Sequence, residues 1–437
     1  MKVTLLDVNP RKTRNACINK DLAGSFGTAS IYGRSLFLRG AMRVKQWGIK
    51  LPLISFGYMA SILRNNGHQV EVMSDKIPQS DLVIIHSSIV GYKTEVNMAR
   101  MIRKSTKAKV GFIGAFASVM PEIFLNEADF VIRGDPEEAT SRLSDQWVPR
   151  GEVASRPLQN LDSLPFPDWS LFAVKEYSYF PLLRDKPFLS ILSSRGCGIS
   201  CSYYCPYTVS GNDQWRARGS DSVIREIQYL VNNFKIRGLL FRDPLFTFDR
   251  GRVERIASGI VSSGINIEWG CESRLDYLDE SLLDIMYRSG LRLINFGIES
   301  QDNAILAGAK RPSLKKEFIK RILSFCRKKR IITNAFYILG FPGDSQESIK
   351  KTINYAIELN ADFAQFTILT PYPGTSFFQD TKKDIFEQDW EKFDGYSPVF
   401  RHKNIPSDRL LQLKEQAFIK YYCRLPWMLK FLKGFIC

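Results

Sequence analysis

The amino-acid sequence predicts an α/β protein in which two parallel β-sheets follow one another and a mostly helical tail ends the chain. Three observations predict this class. Short apolar runs alternate with helical patterns in two separate stretches, a proline-rich segment with little periodicity divides them, and 437 residues exceed the usual size of one hydrophobic core. We expect a first domain at 1–149, a linker at 150–186, a second domain at 187–375 and a C-terminal region at 376–437.

The first domain shows strand patterns at 2–8, 69–74, 82–87, 109–114 and 130–133. Helical patterns lie between or after them at 53–65, 95–104, 120–126 and 137–143. Strands separated by helices of this length predict a parallel sheet covered on both faces. Residues 10–50 break the alternation, because they are basic and rich in glycine and serine, and predict a long functional loop.

The second domain follows a linker that contains Pro157, Pro165, Pro167 and Pro181. Strand patterns occur at 188–193, 238–242, 266–271, 293–298, 334–339 and 364–370, and helical patterns such as 222–234, 282–289, 315–328 and 348–359 fill the gaps. Six strands with five crossovers predict a parallel sheet that curls into an incomplete barrel. Ligands of such sheets bind at the carboxyl ends of the strands.

The net charge of +16 raises the question of nucleic-acid binding. The basic residues are scattered, and several fall on predicted outer helix faces, so a solvated surface explains most of them. An anionic small substrate, a polyanion or a membrane surface stay open. The chain has no apolar run of membrane-spanning length, and its start, MKVTLLDVNP, is typical of a β-strand rather than a signal peptide, so we expect a cytoplasmic protein.

The cysteines carry the clearest chemical signal. Three of the eight, Cys197, Cys201 and Cys205, lie within nine residues directly after the first strand of the second domain. Three thiolates on one loop can bind three irons of a four-iron cluster and leave the fourth iron open. The alternatives are a zinc site, which usually needs a fourth ligand in paired spacing, and three buried structural cysteines. The spacing favours the cluster over both.

With this loop the chain resembles the radical S-adenosylmethionine (SAM) superfamily. The usual signature is C-x-x-x-C-x-x-C with an aromatic residue before the last cysteine, whereas this chain has C-x-x-x-C-x-x-x-C. Tyr204 keeps the aromatic position, but the extra residue leaves open whether Tyr203 or Tyr204 lies beside the adenine. The resemblance implies a [4Fe-4S] cluster on the three cysteines that cleaves SAM to a 5′-deoxyadenosyl radical.

Segments at the ends of the later strands resemble the same superfamily in the same order. They are Leu-Phe-Arg-Asp-Pro at 240–244, Trp-Gly-Cys-Glu-Ser-Arg at 269–274, Phe-Gly-Ile-Glu-Ser at 296–300, Leu-Gly-Phe-Pro-Gly at 339–343 and Leu-Thr-Pro-Tyr-Pro-Gly-Thr at 369–375. The Gly-Gly-Glu that is common after the second strand is missing. The resemblance implies that SAM is bound by Tyr204, Asp243, Arg274, Glu299, Ser300 and Gly340.

The first domain resembles the Rossmann-like, cobalamin-binding domain that precedes the barrel in one large radical SAM class. The similar segments are 52–57, 66–70, 87–88, 114–116 and 133–137. The resemblance implies that cobalamin is bound by Ser87, Ser88, Gly91, Gly114, Gly134 and Glu137. The D-x-H-x-x-G motif that supplies a histidine to cobalt is absent, so we expect no histidine ligand and interpret His86 as a core residue.

The C-terminal region, at 390–400 and 410–426, resembles the tail that follows the barrel in the same class. We expect Tyr421, Tyr422 and Trp427 to pack against the barrel. Lys430 and Lys433 stand among apolar side chains, so peripheral membrane contact is a less favoured alternative.

The resemblance implies a cobalamin-dependent radical SAM enzyme that methylates an unactivated carbon of a small-molecule substrate. A substrate pocket is expected between the two domains, and the electron donor would be a flavodoxin or ferredoxin. One alternative is a radical SAM enzyme that cyclises or rearranges its substrate without methylation, as in the anaerobic magnesium-porphyrin cyclase group. A second is a zinc-stabilised nucleic-acid-binding protein, but the sequence lacks a concentrated basic stripe with interleaved aromatic residues.

Overall fold

The computed structural model describes residues 1–9, 20–21, 26–27, 29, 32–33, 35–199, 203–209 and 214–436. Cys201, one of the three predicted cluster ligands, lies outside these residues. Within them the chain forms two six-stranded sheets in which every neighbouring pair of strands is parallel. The prediction of an α/β fold with parallel sheets is therefore confirmed.

The first sheet has the strand order β2-β1-β3-β4-β5-β6. Its strands are β1 Lys2–Asp7, β2 Gln69–Ser74, β3 Leu82–His86, β4 Lys109–Ile113, β5 Phe130–Arg133 and β6 Gly151–Ala154. Central β3 is buried along its whole length, which explains its unbroken apolar sequence. The order reverses between β1 and β3, and ligands of such sheets bind outside the carboxyl ends of the strands at that point.

Two features of this part of the chain differ from the prediction. The strand β6 pairs with β5, although residues 151–154 fall within the predicted linker. Residues 36–48 form a helix, although 10–50 was predicted to be a loop. In the helix Leu38 and Gly48 are buried and Ala41 and Met42 pack against the core, but Leu36, Phe37, Val44 and Trp47 are exposed, so many of its apolar residues lie off the buried face.

The second sheet keeps the strands in chain order, from β7 to β12. They are β7 Phe188–Ile191, β8 Gly238–Phe241, β9 Glu268–Ser273, β10 Leu291–Glu299, β11 Ile332–Leu339 and β12 Phe363–Ile368. In the part of the chain that the structure describes, no hydrogen-bonded ladder joins β7 to β12. The curling of this sheet into an incomplete barrel stays a prediction.

The helices connect these strands and build the tail. In the first part they are Leu36–Gly48, Ile54–Asn65, Tyr92–Ser105, Ala115–Val119, Pro121–Leu125 and Glu137–Ser141. Around the second sheet they are Ser220–Phe234, Arg250–Ser262, Glu280–Arg288, Asn303–Gly308, Lys316–Lys328 and Gln346–Leu359. The tail contains Ser376–Thr381, Ser407–Tyr422 and Leu425–Ile436.

The tail packs along the outer edge of the second sheet. The Tyr422 hydroxyl donates to the carbonyl of Ala364 at 2.6 Å and lies 2.9 Å from the amide nitrogen of the same residue. The Tyr421 hydroxyl donates to the carbonyl of Ala361, and the Trp427 indole donates to that of Asp362. These contacts cover the exposed edge of β12, and the predicted packing of these three residues is confirmed.

An apolar cluster joins the two sheets. It contains Ile89 and Phe116, which follow β3 and β4, and Phe341 and Leu369, which follow β11 and β12. The carboxyl ends of both sheets therefore face one another across a shared core. None of the helices in the described ranges is long and apolar enough to cross a membrane.

Candidate active site

The cysteine loop leaves the carboxyl end of β7 and enters the space between the sheets. At its base Ser194 and Arg195 pair with Arg216 and Ala217 as a short antiparallel ladder. Cys197 and Cys205 are half-buried, and Cys205 packs beside the cluster that joins the sheets. In the described part of the chain no three His, Cys, Asp or Glu side chains gather as a metal site, since Cys201 lies outside it.

Asp243 supports the start of this loop. Its carboxylate is fully buried and accepts hydrogen bonds from the backbone and hydroxyl of Ser193 at 2.8 and 2.5 Å and from the hydroxyl of Ser194 at 2.6 Å. Asp243 thus fixes the segment that leads to Cys197. This use of the carboxylate differs from the contact with the SAM amino group that the family resemblance implies.

Two tyrosines of the loop point to different neighbours. The Tyr204 ring is buried, lies 5.5 Å from the Phe341 ring in an edge-on contact, and its hydroxyl donates to the carboxylate of Glu299. The Tyr203 hydroxyl instead donates to Asp380 in the tail at 2.9 Å. Of the two, Tyr204 is the one that faces the strand ends predicted to bind SAM.

Glu299 ends β10 with a φ of 64°, a left-handed conformation that is uncommon for a residue with a side chain. Its carboxylate lies 3.1 Å from the guanidinium of Arg311. A Cβ on Gly297 would lie 2.1 Å from the Glu299 carboxylate, so a side chain there would force that carboxylate to move. Burial raises the pKa of Glu299, although Arg311, the Tyr204 hydrogen bond and Arg274 oppose this shift.

Arg274 and Ser300 line one small cleft of about 40 Å³ together with Arg311. Two nitrogens of Arg274 bind Asp276, at 3.0 and 2.6 Å. The third, Nη1, is buried and has no hydrogen-bond partner among the described residues. The Ser300 hydroxyl lies 3.3 Å from that of Thr352. A guanidinium nitrogen without a partner is suited to bind a carboxylate.

The backbone amide of Gly340 is used within the protein. Gly340 has a φ of 85°, and its amide and that of Phe341 both donate to Asp344 at 2.9 Å. Asp344 therefore closes the turn after β11, and the left-handed backbone of Gly340 explains the glycine without a ligand.

At the ends of the first-sheet strands, Ser87 and Ser88 are completely buried. The backbone amide and hydroxyl of Ser88 donate to the carboxylate of Glu95, at 2.8 and 2.7 Å, and the Ser87 hydroxyl accepts from the amide of Ala117. The amide of Ile89 donates to the carbonyl of Phe26, so Phe26 lies next to this face. Both serine hydroxyls are hydrogen-bonded within the protein.

The three glycines predicted here have local structural reasons. Gly91 begins the helix Tyr92–Ser105. Gly114 has a φ of 108°, and a Cβ there would lie 2.9 Å from the Ser87 hydroxyl. Gly134 has a φ of 88°, and its amide donates to the hydroxyl of Ser118. His86 is buried, with its Nδ1 3.2 Å from the carbonyl of Ser87, in keeping with a core histidine.

Glu137 forms an ion pair that the sequence did not predict. Both of its oxygens accept from Arg195, at 2.6 and 3.0 Å, and Arg195 also reaches Asp135 at 3.1 Å. Arg216 binds the same Asp135 oxygen at 3.2 Å. We call these four residues the interdomain clasp. It ties the loop after β5 to the residue two positions before Cys197, and it uses both Glu137 oxygens that the resemblance assigned to cobalamin.

A second set of contacts that the sequence did not predict begins at Arg242. Its Nη1 donates to Glu272 at 2.5 Å, and the other Glu272 oxygen accepts from the Tyr207 hydroxyl at 3.2 Å. Burial raises the pKa of Tyr207, and the charges of Glu272 and Cys205 raise it further. A chain of side chains thus connects the interior of the second sheet to the cysteine loop.

Comparison with known proteins identifies a superfamily model and several relatives that match this chain. A sequence model of the radical SAM superfamily matches residues 191–356. An uncharacterized methyltransferase of Pyrococcus horikoshii is 26% identical over 413 residues, which cover 85% of this chain and 88% of the relative. The bacteriochlorophyllide d C-12(1)-methyltransferase of Chlorobaculum tepidum is 27% identical, with 85% and 82% covered. The anaerobic magnesium-protoporphyrin IX monomethyl ester cyclase of Rubrivivax gelatinosus is 24% identical, with 84% and 72% covered.

A solved structure shares the fold. The radical SAM methyltransferase TsrM of Kitasatospora setae, with cobalamin and a [4Fe-4S] cluster bound, superposes with a TM-score of 0.63 at 16% identity. The match covers 88% of this chain and 78% of that protein. The structural similarity therefore includes both sheets, and not only residues 191–356, which match the superfamily model.

Proposed function

Because the chain carries a radical SAM domain at residues 191–356 and is a radical SAM enzyme, we propose that it methylates a small-molecule substrate and uses cobalamin as the methyl carrier. The observation that supports this most directly is the position of the cysteine loop. The loop lies where the carboxyl ends of the two sheets meet, between the part that resembles a cobalamin-binding domain and the strand ends of the second sheet.

The donor set fits a cluster with one open iron. Cys197 and Cys205 are half-buried on one loop whose base is fixed by Asp243 and the interdomain clasp, and Cys201 lies between them in the sequence. When bound, the cluster supplies the electron that breaks a sulfur–carbon bond of SAM, and cobalamin supplies the methyl group. We propose an electron donor of the flavodoxin or ferredoxin type.

The chain's own residues would bind and orient SAM. Arg274 has a buried nitrogen without a partner in the described structure, which can bind the methionine carboxylate. Glu299, next to Tyr204, can accept from the ribose hydroxyls or the amino group. Tyr204 and Phe341 offer aromatic surface for the adenine, while the apolar cluster around them excludes water.

The serines predicted to contact cobalamin do not fit the group in this arrangement. Ser87 and Ser88 are completely buried, and Phe26 and Lys20 contact the neighbouring residues Ile89 and Glu95. A ring on this face would have to displace Phe26. This observation favours a second candidate, a radical SAM enzyme that cyclises or rearranges its substrate, and the cyclase of Rubrivivax gelatinosus is a relative of that kind.

The test begins with anaerobic reconstitution. We expect about four irons and four sulfides per chain, and SAM cleavage to 5′-deoxyadenosine once a reductant is added. Cys197→Ala, Cys201→Ala and Cys205→Ala should each lose the cluster, whereas Cys423→Ser, at an exposed position, should keep it. Stoichiometric zinc without a brown chromophore would contradict the proposal.

Cobalamin binding and the transfer of methyl label to the product distinguish the two candidate functions. The methylating enzyme should retain cobalamin and transfer label from the methyl group of SAM to its product. A preparation that cleaves SAM but never binds added cobalamin would leave the non-methylating reaction as the function.

A further inference from the structure

A cavity of about 610 Å³ lies between the two sheets, beside the site described above. One wall is formed by residues at the carboxyl ends of β1 and β2, including Asp7, which ends β1, and Asp75, which follows β2. The opposite wall contains Ser190 on β7 and Arg242 directly after β8. The cavity thus sits at the carboxyl end of the first sheet and opens towards the interior of the second.

Polar atoms without partners face this cavity. The Arg242 side chain is 8% exposed and Ser190 is 1% exposed, and both line the cavity. Nη2 of Arg242 and the hydroxyl of Ser190 are buried and have no hydrogen-bond partner among the described residues, and the same holds for Oδ1 of Asn9. Buried polar groups of folded proteins are nearly always paired, so such a group of atoms points to a ligand.

Each carboxylate on the wall lies beside a cation or a backbone amide, although Oδ1 of Asp7 has no hydrogen bond among the described residues. Asp7 lies 2.8 Å from the ammonium of Lys20, and Asp75 accepts from the amide of Asn9 at 2.7 Å. Asp21 accepts from the first backbone amides of the helix Ile54–Asn65. Glu176 lies 4.0 Å from Lys50. The Arg242 guanidinium has a buried donor without a partner among the described residues, and a guanidinium binds oxygen acceptors, carboxylates best of all.

Much of the rest of the lining is apolar, although Gln46, Lys50 and Ser74 also line the cavity. The apolar part includes Trp47, Leu51, Leu53, Phe56, Leu171 and Phe172. A cavity with an apolar wall and a few placed polar groups is typical of sites for small organic ligands. The lining fits a molecule with an apolar body and an acidic head.

The buried end of the cavity is close to the reaction centre. Arg242 binds Glu272, Glu272 binds Tyr207, and Tyr207 is the second residue after Cys205 in the chain. A ligand oxygen on Arg242 would therefore sit two side chains away from the cysteine loop.

We propose that this cavity binds the substrate, and that the substrate is a small organic acid whose carboxylate binds Arg242 and Ser190 while its apolar body lies against the Trp47 and Phe172 wall. The proposal rests on the proposed function, because it takes the reaction centre to be the cysteine loop.

The test compares how tightly carboxylic acids and their neutral primary amides bind to the full-length protein. The probes are 1-naphthaleneacetate and decanoate, each beside its primary amide, with dissociation constants measured by calorimetry. We expect at least one acid to bind the wild type about tenfold more tightly than its amide. Arg242→Gln should remove this preference, Arg242→Lys should keep part of it, and Ser190→Ala should weaken the acid by a smaller factor.

The matched control is Arg250→Gln, because Arg250 also pairs with carboxylates but lies on the surface. It should leave both affinities unchanged. The inference is overturned if no acid binds better than its amide, or if Arg242→Gln retains the preference. Iron content and SAM cleavage of the same wild-type preparation report on the proposed function separately, so either idea can fail alone.

Discussion

Glu299 combines a left-handed backbone, a buried carboxylate and contacts to two of the residues that surround the predicted SAM site. Strain of this kind is kept where the surrounding structure fixes it, and it is concentrated at functional sites. Gly297 leaves room for the Glu299 carboxylate, since a side chain at this position would meet it. These contacts account for the glycine and the glutamate of the motif Phe-Gly-Ile-Glu-Ser.

We predict that Glu299→Gln weakens SAM binding by roughly tenfold or more, because a neutral amide loses a charge-assisted hydrogen bond. Equilibrium binding of SAM to the reconstituted protein measures this. Glu268→Gln is the matched control, since Glu268 begins β9 at the opposite end of the sheet and should leave the affinity unchanged. Equal affinities for wild type and Glu299→Gln would show that SAM lies elsewhere.

Individual residues also show how much of the candidate site can be predicted from the sequence. The motifs after the strands of the second sheet predicted that Glu299, Ser300 and Arg274 lie close together, and they do, because carboxyl ends of parallel strands share one edge. Asp243 was predicted at the same edge, but its oxygens turn back to Ser193 and Ser194. The direction of a short side chain depends on its neighbours in space, which spacing along the chain does not reveal.

At the scale of elements, the interdomain clasp joins two loops that are 58 residues apart in sequence, at Glu137 and Arg195. Its side chains are almost completely buried. Removing one partner from such a pair leaves an uncompensated buried charge, which costs far more than the pair itself contributes.

We predict that Glu137→Ala lowers the free energy of unfolding by about 3–5 kcal/mol. Glu152→Ala breaks the half-exposed pair with Arg133, so it should cost about 1 kcal/mol or less. Urea unfolding of both variants measures the difference. Losses of similar size would show that the clasp is no more than a surface contact.

The clasp also has a pH dependence with a defined sign. Burial alone would raise the pKa of Asp135, but Arg195 and Arg216 more than offset this, and the pKa is lowered. A carboxyl with a lowered folded pKa contributes stability above its unfolded pKa of about 4 and loses it as the pH falls. Asp135→Asn should therefore make stability less dependent on pH in the acid range.

Buried apolar strands were predicted within a few residues, whereas two elements with many exposed residues were not. β3 and β11 are buried and rich in branched residues, and both were found. The helix Leu36–Gly48 leaves Leu36, Phe37, Val44 and Trp47 exposed, and β6 is a largely exposed edge strand. The local sequence gives little indication of this helix or of β6, because contacts with residues distant in the sequence hold both in place.

We expect the whole molecule to unfold as one cooperative unit, because both sheets contribute residues to one buried apolar cluster. Phe116 is fully buried in it and contacts Phe26, Tyr92, Phe124 and Trp390, which come from four parts of the chain. Neither sheet can expose its half of the cluster without exposing the other half.

We predict a single thermal unfolding transition in which backbone circular dichroism and calorimetry coincide. Phe116→Ala should shift the whole transition, with a loss of about 3–5 kcal/mol. Phe386→Ala, at an exposed position, should change stability by about 0.5 kcal/mol or less. Two resolved transitions, only one of them sensitive to Phe116, would show that the sheets unfold independently.

The same shared cluster has a consequence during biosynthesis. Glu137 leaves the ribosome 58 residues before Arg195, its partner in the clasp. Until the second sheet has been translated, Ile89 and Phe116 have nothing from β11 or β12 to pack against. The nascent first sheet therefore carries an open apolar face and two hydrated carboxylates for most of the time that the rest of the chain is being made. That interval, rather than the finished protein, is when this chain is most exposed to aggregation and to capture by a chaperone.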